Sequence, residues 1–143
     1  MSQALEVRIE QVGQSTAKGL ARSHTVLIDR PVAKGGADQG PLGGELLLLA
    51  LGGCFMSNLL AAIRAREAAI SDVRIAVTGT IDGPPDRFTG LALKISARHE
   101  DSALMGKLVT IAERACIVTN TLREGTPISI AVEDSQIRSA AQP

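Results

Sequence analysis

Apolar positions recur at every second residue from Leu5 to Val12, with Leu5, Val7 and Ile9 set against Glu6, Arg8 and Glu10. That period belongs to a half-buried strand. A polar, glycine-containing turn is expected from Gly13 to Gly19, and His24 to Asp29 (HTVLID) reads as the returning strand. The stretch Arg30 to Gly44, RPVAKGGADQGPLGG, carries five glycines and two prolines and is expected to be a loop. From about Glu45 to Ala69 the pattern becomes that of an apolar helix, and Leu46 to Ile63 runs 18 residues without a charge. Such a run just reaches the length of a membrane span. Ser57, Asn58, the Gly52-Gly53 pair and the strand patterns on both sides argue instead for a helix buried inside a domain or a dimer.

Alternation then resumes. Val73, Ile75, Val77 and Ile81 mark one strand, DGPPD (Asp82 to Asp86) a turn, and Leu91, Leu93, Ile95 and Ala97 the strand that completes a hairpin. Asp101 or Ser102 caps a second helix whose apolar stripe is Leu104, Leu108, Ile111, Ala115, Val118 and Leu122, stopped by Gly125 and Pro127. Ile128 to Val132 reads as a closing strand. The order ββα-ββαβ predicts an α+β fold, one domain over residues 1–143, with sheets packed around two central apolar helices. Because the first helix has almost no polar face, these few strands do not cover it. Part of it is expected to meet a second copy, which makes the protein a homodimer.

Charge is balanced, with 15 basic and 15 acidic residues and no basic run or aromatic ladder, so a nucleic-acid partner is not expected. Trp and Tyr are absent and Phe55 and Phe88 are the only aromatics, so core and pockets must be aliphatic. The segment MSQALEVRIEQ lacks the basic-then-apolar pattern of a secretory leader. Cytoplasmic residence, with reduced thiols and no membrane association, is the expectation.

Chemistry narrows to two thiols, Cys54 and Cys116, one in each apolar helix. A buried cysteine is often an inert small hydrophobe. Two on facing helices can also form a redox couple, if their Cα atoms lie within about 7 Å. A thiolate cleaves a peroxide O–O bond, and a second thiol captures the resulting sulfenic acid. Nothing in the spacing brings His24 and His99 to both thiols, so no metal site is expected. Glu45, the nearest upstream acid, precedes Cys54 by nine residues. On a regular helix that places it on the opposite side and about 13 Å along the axis. It would then serve either its own helix N-terminus or the thiol of a partner chain. Lys18, Arg22, Arg30, Arg64 and Arg66 are candidate assisting cations.

The segment DRPVAKGGADQGPLGGELLLLALGGC, Asp29 to Cys54, resembles the OsmC/Ohr family, with its Gly-Gly-x-Asp-x-Gly-Pro loop entering a Glu-Leu-Leu-Leu helix that bears a cysteine. The spacing from Asp72 to Cys116 and Pro127 is similar to that family as well. The resemblance implies an intertwined α+β homodimer with active sites at the interface. It implies reduction of small apolar organic hydroperoxides, Cys54 as the peroxidatic thiol and Cys116 as the resolving one. Regeneration would come from an external dithiol reductant, with no metal, flavin or other cofactor. The glutamate of the well-characterised Ohr branch stands ten residues before its cysteine, where this chain has Gly44. Glu45 takes the spacing of the broader OsmC-like branch, Ile117 follows the second cysteine where Pro or a similar residue is usual, and no basic residue aligns with the family's assisting arginine. A dimer that binds an apolar ligand without catalysis, and a pair of purely structural core cysteines, are the alternatives.

Overall fold

The computed structural model describes residues 2–133. Three strands form the first sheet: β1 (Arg8–Gln11), β2 (Ala17–Ala21) and β3 (His24–Ile28), an antiparallel meander in the order β1-β2-β3. The sequence pattern predicted two strands here, with Gly13 to Gly19 as turn. The extra strand escaped the pattern because the positions on one of its faces are Ala17, Gly19 and Ala21, too small to register as an apolar alternation. Gly19 is buried against Val26, where even a Cβ would approach the valine Cγ1 to 3.2 Å.

Past a single 3-10 turn at Val32–Lys34 the chain enters α1 (Gly43–Ala65). Glu45 Oε1 accepts the Leu42 N–H at 2.8 Å, occupying one donor of the helix N-terminus. The helix then runs unbroken through Gly52-Gly53 and ends four residues before the Ala69 predicted from the pattern. Next comes a long hairpin, β4 (Ser71–Asp82) paired antiparallel with β5 (Arg87–Arg98). Ile75 and Val77 lie opposite Ile95 and Leu93 across its ladder.

The expected second helix is two helices, α2 (Ser102–Ala115) and α3 (Ile117–Glu124). Asp101 caps α2 by accepting the Leu104 N–H at 3.0 Å. Cys116 interrupts the helix with extended backbone (φ −76°, ψ 108°) and is followed by the β-branched run Ile117-Val118-Thr119, whose stiff side chains weaken helix continuation. An apolar stripe of constant period does not reveal such a break. The closing strand expected at Ile128–Val132 is not formed within this chain. Ile128, Ile130 and Val132 are 86%, 91% and 92% exposed and have no strand beside them among the described residues.

The fold is a mixed α+β arrangement in which α1 packs against β4, α2 and α3. Its core is aliphatic, as the composition requires. Phe55, Leu59, Ala62 and Ile63 of α1 meet Met105, Leu108 and Ala112 of α2, and Cys116 closes the cluster. Gly52 lets α1 settle on the hairpin, since a Cβ there would lie 2.8 Å from Val77 Cγ2.

Candidate thiol site

Cys54 lies on the fourth turn of α1, half-buried at the edge of the core, and Cys116 is completely buried at the junction of α2 and α3. The two helices that carry them pack together, Cys54 packs against the buried cluster that includes Cys116, and the Cys54 thiol is among the groups that favour the Cys116 thiolate. Both are free cysteines in this structure. The thiols the sequence singled out, 62 positions apart, are therefore neighbours in space.

Their surroundings differ. Cys116 is the N-cap of α3, with its Sγ accepting the Thr119 N–H at 3.5 Å. Burial on its own raises the pKa of the Cys116 thiol, since the thiolate loses water. The Thr119 hydroxyl and N–H, the Cys54 thiol and the Val118 N–H all favour the thiolate, and together they move Cys116 below its ordinary value. At Cys54 the Asn58 amide, one turn along the same helix, donates to the backbone carbonyl at 2.9 Å and approaches Sγ at 3.8 Å.

Glu45 stands away from both sulfurs of its own chain. Because α1 is regular through the glycine pair, Glu45 faces a shallow groove with Leu48, Leu49, Gly52, Gly53 and Met56, on the side of the helix opposite Cys54. Among the described residues, no hydrogen bond to either sulfur comes from Lys18, Arg22, Arg30, Arg64 or Arg66, and the four arginines are exposed. His24 begins β3, and His99, just beyond β5, uses Nδ1 on the Ala97 carbonyl at 3.0 Å.

Three further residues emerge only from the structure. Asn58 was legible in principle, since a residue four positions after Cys54 shares its helix face. Thr119 was not, because its role depends on the break at Cys116. Asp29 is 3% exposed and accepts from the Thr16 hydroxyl at 2.8 Å, the Arg30 N–H at 2.7 Å and the Gln39 N–H at 3.1 Å. Burial opposes its charge, but these donors and Ser15 outweigh it and hold the carboxyl well below the usual carboxylate range. Asp29 thus ties the glycine-rich loop to the first sheet and sets the approach of the chain to α1. Close packing there is also why residue 40 is glycine, since a Cβ would meet the Leu27 carbonyl oxygen at 2.2 Å.

Beside the thiol pair, Leu51, Phe55, Leu91, Leu93, Val109 and Thr119 help line an open cleft of about 470 Å³, with Glu113 and Arg123 ion-paired at its polar side.

A family model described as OsmC-like protein matches residues 35–131, and the chain belongs to that family. No curated protein matches the sequence. Solved structures show the same fold at low identity. A hypothetical protein from Aquifex aeolicus VF5 is 17% identical with a TM-score of 0.74, covering 92% of this chain and 96% of its own. An OsmC-like protein from Mycoplasma pneumoniae is 18% identical with a TM-score of 0.70, covering 93% and 96%. An organic hydroperoxide resistance protein from Elizabethkingia anophelis is 18% identical with a TM-score of 0.63, covering 87% and 93%. The family and the α+β architecture expected from the sequence are thereby established.

Proposed function

We propose that this protein is a cytoplasmic, thiol-dependent peroxidase that reduces small organic hydroperoxides. The observation that carries this reading is the packing of Cys54 against the aliphatic cluster that holds Cys116, which brings the chain's two thiols together. Structural neighbours that are organic hydroperoxide resistance proteins support it. Cys54 is the more accessible sulfur and takes the peroxidatic role. Its thiolate attacks the distal peroxide oxygen, the O–O bond breaks, and the alkoxide takes up a proton and leaves as the alcohol. The Cys116 thiolate then attacks the Cys54 sulfenic acid, whose hydroxyl departs as water with one proton. An external dithiol returns the two electrons. Every group named is an amino-acid side chain, and no metal or cofactor is assigned.

The active form is proposed to be a homodimer. The bare apolar positions Leu5, Val7 and Ile9 of the N-terminal segment, together with Ile128, Ile130 and Val132, support a second copy. In it, the partner's Glu45 would reach Cys54, because the geometry of α1 rules out help from the same chain.

The test is consumption of cumene hydroperoxide with dithiothreitol by wild type, Cys54→Ser and Cys116→Ser. Loss of turnover in Cys54→Ser, with a sulfenic acid accumulating in Cys116→Ser, is the expected outcome. The cleft beside Phe55 gives the alternative, an apolar-ligand binder without catalysis, its own observation. Wild-type thiols of unchanged intact mass after a peroxide pulse would decide for that alternative.

A further inference from the structure

The two sulfurs of the pair are built differently, and the difference bears on how the oxidised pair is reduced. Cys116 has no exposed surface, whereas Cys54 is half-buried. Cys116 sits at the N-terminus of α3, where aligned peptide dipoles favour negative charge. Its sulfur accepts the Thr119 N–H at 3.5 Å, while Cys54 has the Asn58 amide at 3.8 Å.

We propose that the N-terminus of α3, through the Thr119 N–H, holds Cys116 as the departing thiolate of the disulfide, so that the external dithiol attacks Cys54 and not Cys116. This deepens the peroxidase reading and rests on it. The step balances. The reductant's thiolate forms a bond to Cys54 Sγ, the Cys54–Cys116 bond breaks, and the electron pair leaves on Cys116. The reductant's second thiol, after losing its proton, then attacks the mixed disulfide and closes its own ring. Cys54 departs as a thiolate, and both cysteines end reduced. Exchange is faster when the leaving sulfur is the better-stabilised thiolate, and it requires access to the attacked sulfur. Both conditions select the same direction here: the stabilised sulfur is the inaccessible one.

The experiment starts from wild-type protein oxidised with diamide, which forms the disulfide without peroxide. Brief treatment with 2-mercaptoethanol, acid quenching and peptide mass mapping should place the adduct on Cys54 and leave Cys116 free. An adduct mainly on Cys116, or failure of diamide to join the two thiols, overturns the proposal. Thr119→Pro removes the N–H within the first turn of α3, where proline is tolerated. It should slow reduction of the disulfide by dithiothreitol about threefold, because the leaving sulfur loses its donor. In a Cys54→Ser background, the same substitution should raise the midpoint of the Cys116 thiolate absorbance. Thr119→Ala, which keeps the N–H, should change neither by as much. An unchanged reduction rate in Thr119→Pro overturns the assignment. A Cys54 adduct in a protein that leaves peroxides untouched would sink the peroxidase reading and leave the role of Thr119 intact.

Discussion

The thiol-bearing helices and the two ends of the chain treat their apolar residues in opposite ways. Around the sulfurs, Leu59, Leu108, Ala112 and Cys116 have no exposed surface, so this cluster closes within one chain, even though Leu49 elsewhere on α1 is 61% exposed. At the ends, Leu5 is 93% exposed, Ile9 61% and Ile130 91%, although their alternation is as regular as that of any strand in the molecule. The local pattern is of equal quality in both places. What differs is whether the chain supplies the surface that such a pattern is made to cover. The two bare strand-like segments are what supports the proposed second copy, whereas the site's sulfur pair is assembled without one.

The strongest way to break this contrast is truncation. Leu108→Ala should cost about 2–5 kcal/mol, the range for opening a cavity in a closed aliphatic core. It should show as a lower urea midpoint. Ile9→Ala, measured at a dilution where single chains prevail, should stay within about 0.5 kcal/mol of wild type. Equal losses would mean that the N-terminal strand is packed inside the monomer after all.

A smaller effect is expected where the two regions join, at Asp29. Its carboxyl titrates in the folded chain below the ordinary value of 3.8. Protons therefore bind more readily to the unfolded state, and the contribution of Asp29 is complete above that ordinary value. It is lost progressively as pH falls from about 4 toward the lower folded-state value. The urea midpoint should decline across that acid range in wild type and decline less steeply in Asp29→Asn. Parallel profiles would show that the loop and first sheet are held together by other contacts.

Legibility followed the same divide. The apolar run of α1, the β4–β5 hairpin and both cysteines could be read because large aliphatic residues repeat with a clear period. Strand β2 was hidden because Ala17 and Gly19 are small, and their packing depends on Val26 from a neighbouring strand. The break at Cys116 was hidden because Leu104, Leu108, Ala115 and Val118 keep helical spacing across it. With the break went Thr119, whose contact exists only because a new helix begins there. Ile128 to Val132 failed in the reverse sense. Its alternation is genuine, but pairing needs a strand that the described chain does not provide.

The smallest structural effect, and the sharpest test of what a second chain adds, belongs to Glu45. Within one chain its carboxylate accepts the Leu42 N–H and sits in the first turn of α1. Glu45→Gln should therefore cost only about 0.3–1 kcal/mol of stability, the scale of one charge at a helix N-terminus. If Glu45 also serves the partner's Cys54, the same substitution must lower peroxide turnover by far more than that loss of stability explains. Complementation separates the two roles. Glu45→Gln and Cys54→Ser homodimers are each expected to be impaired. Unfolding and refolding them together creates mixed dimers in which an intact Cys54 on one chain faces an intact Glu45 on the other. Partial recovery of turnover in the mixture, absent when the two are combined without exchange, would show the carboxylate acting across the interface. No recovery, with mixed dimers verified by native mass spectrometry, would confine Glu45 to its own helix end. Asn58 and Cys116 would then be the neighbours on which the proposed chemistry of Cys54 draws.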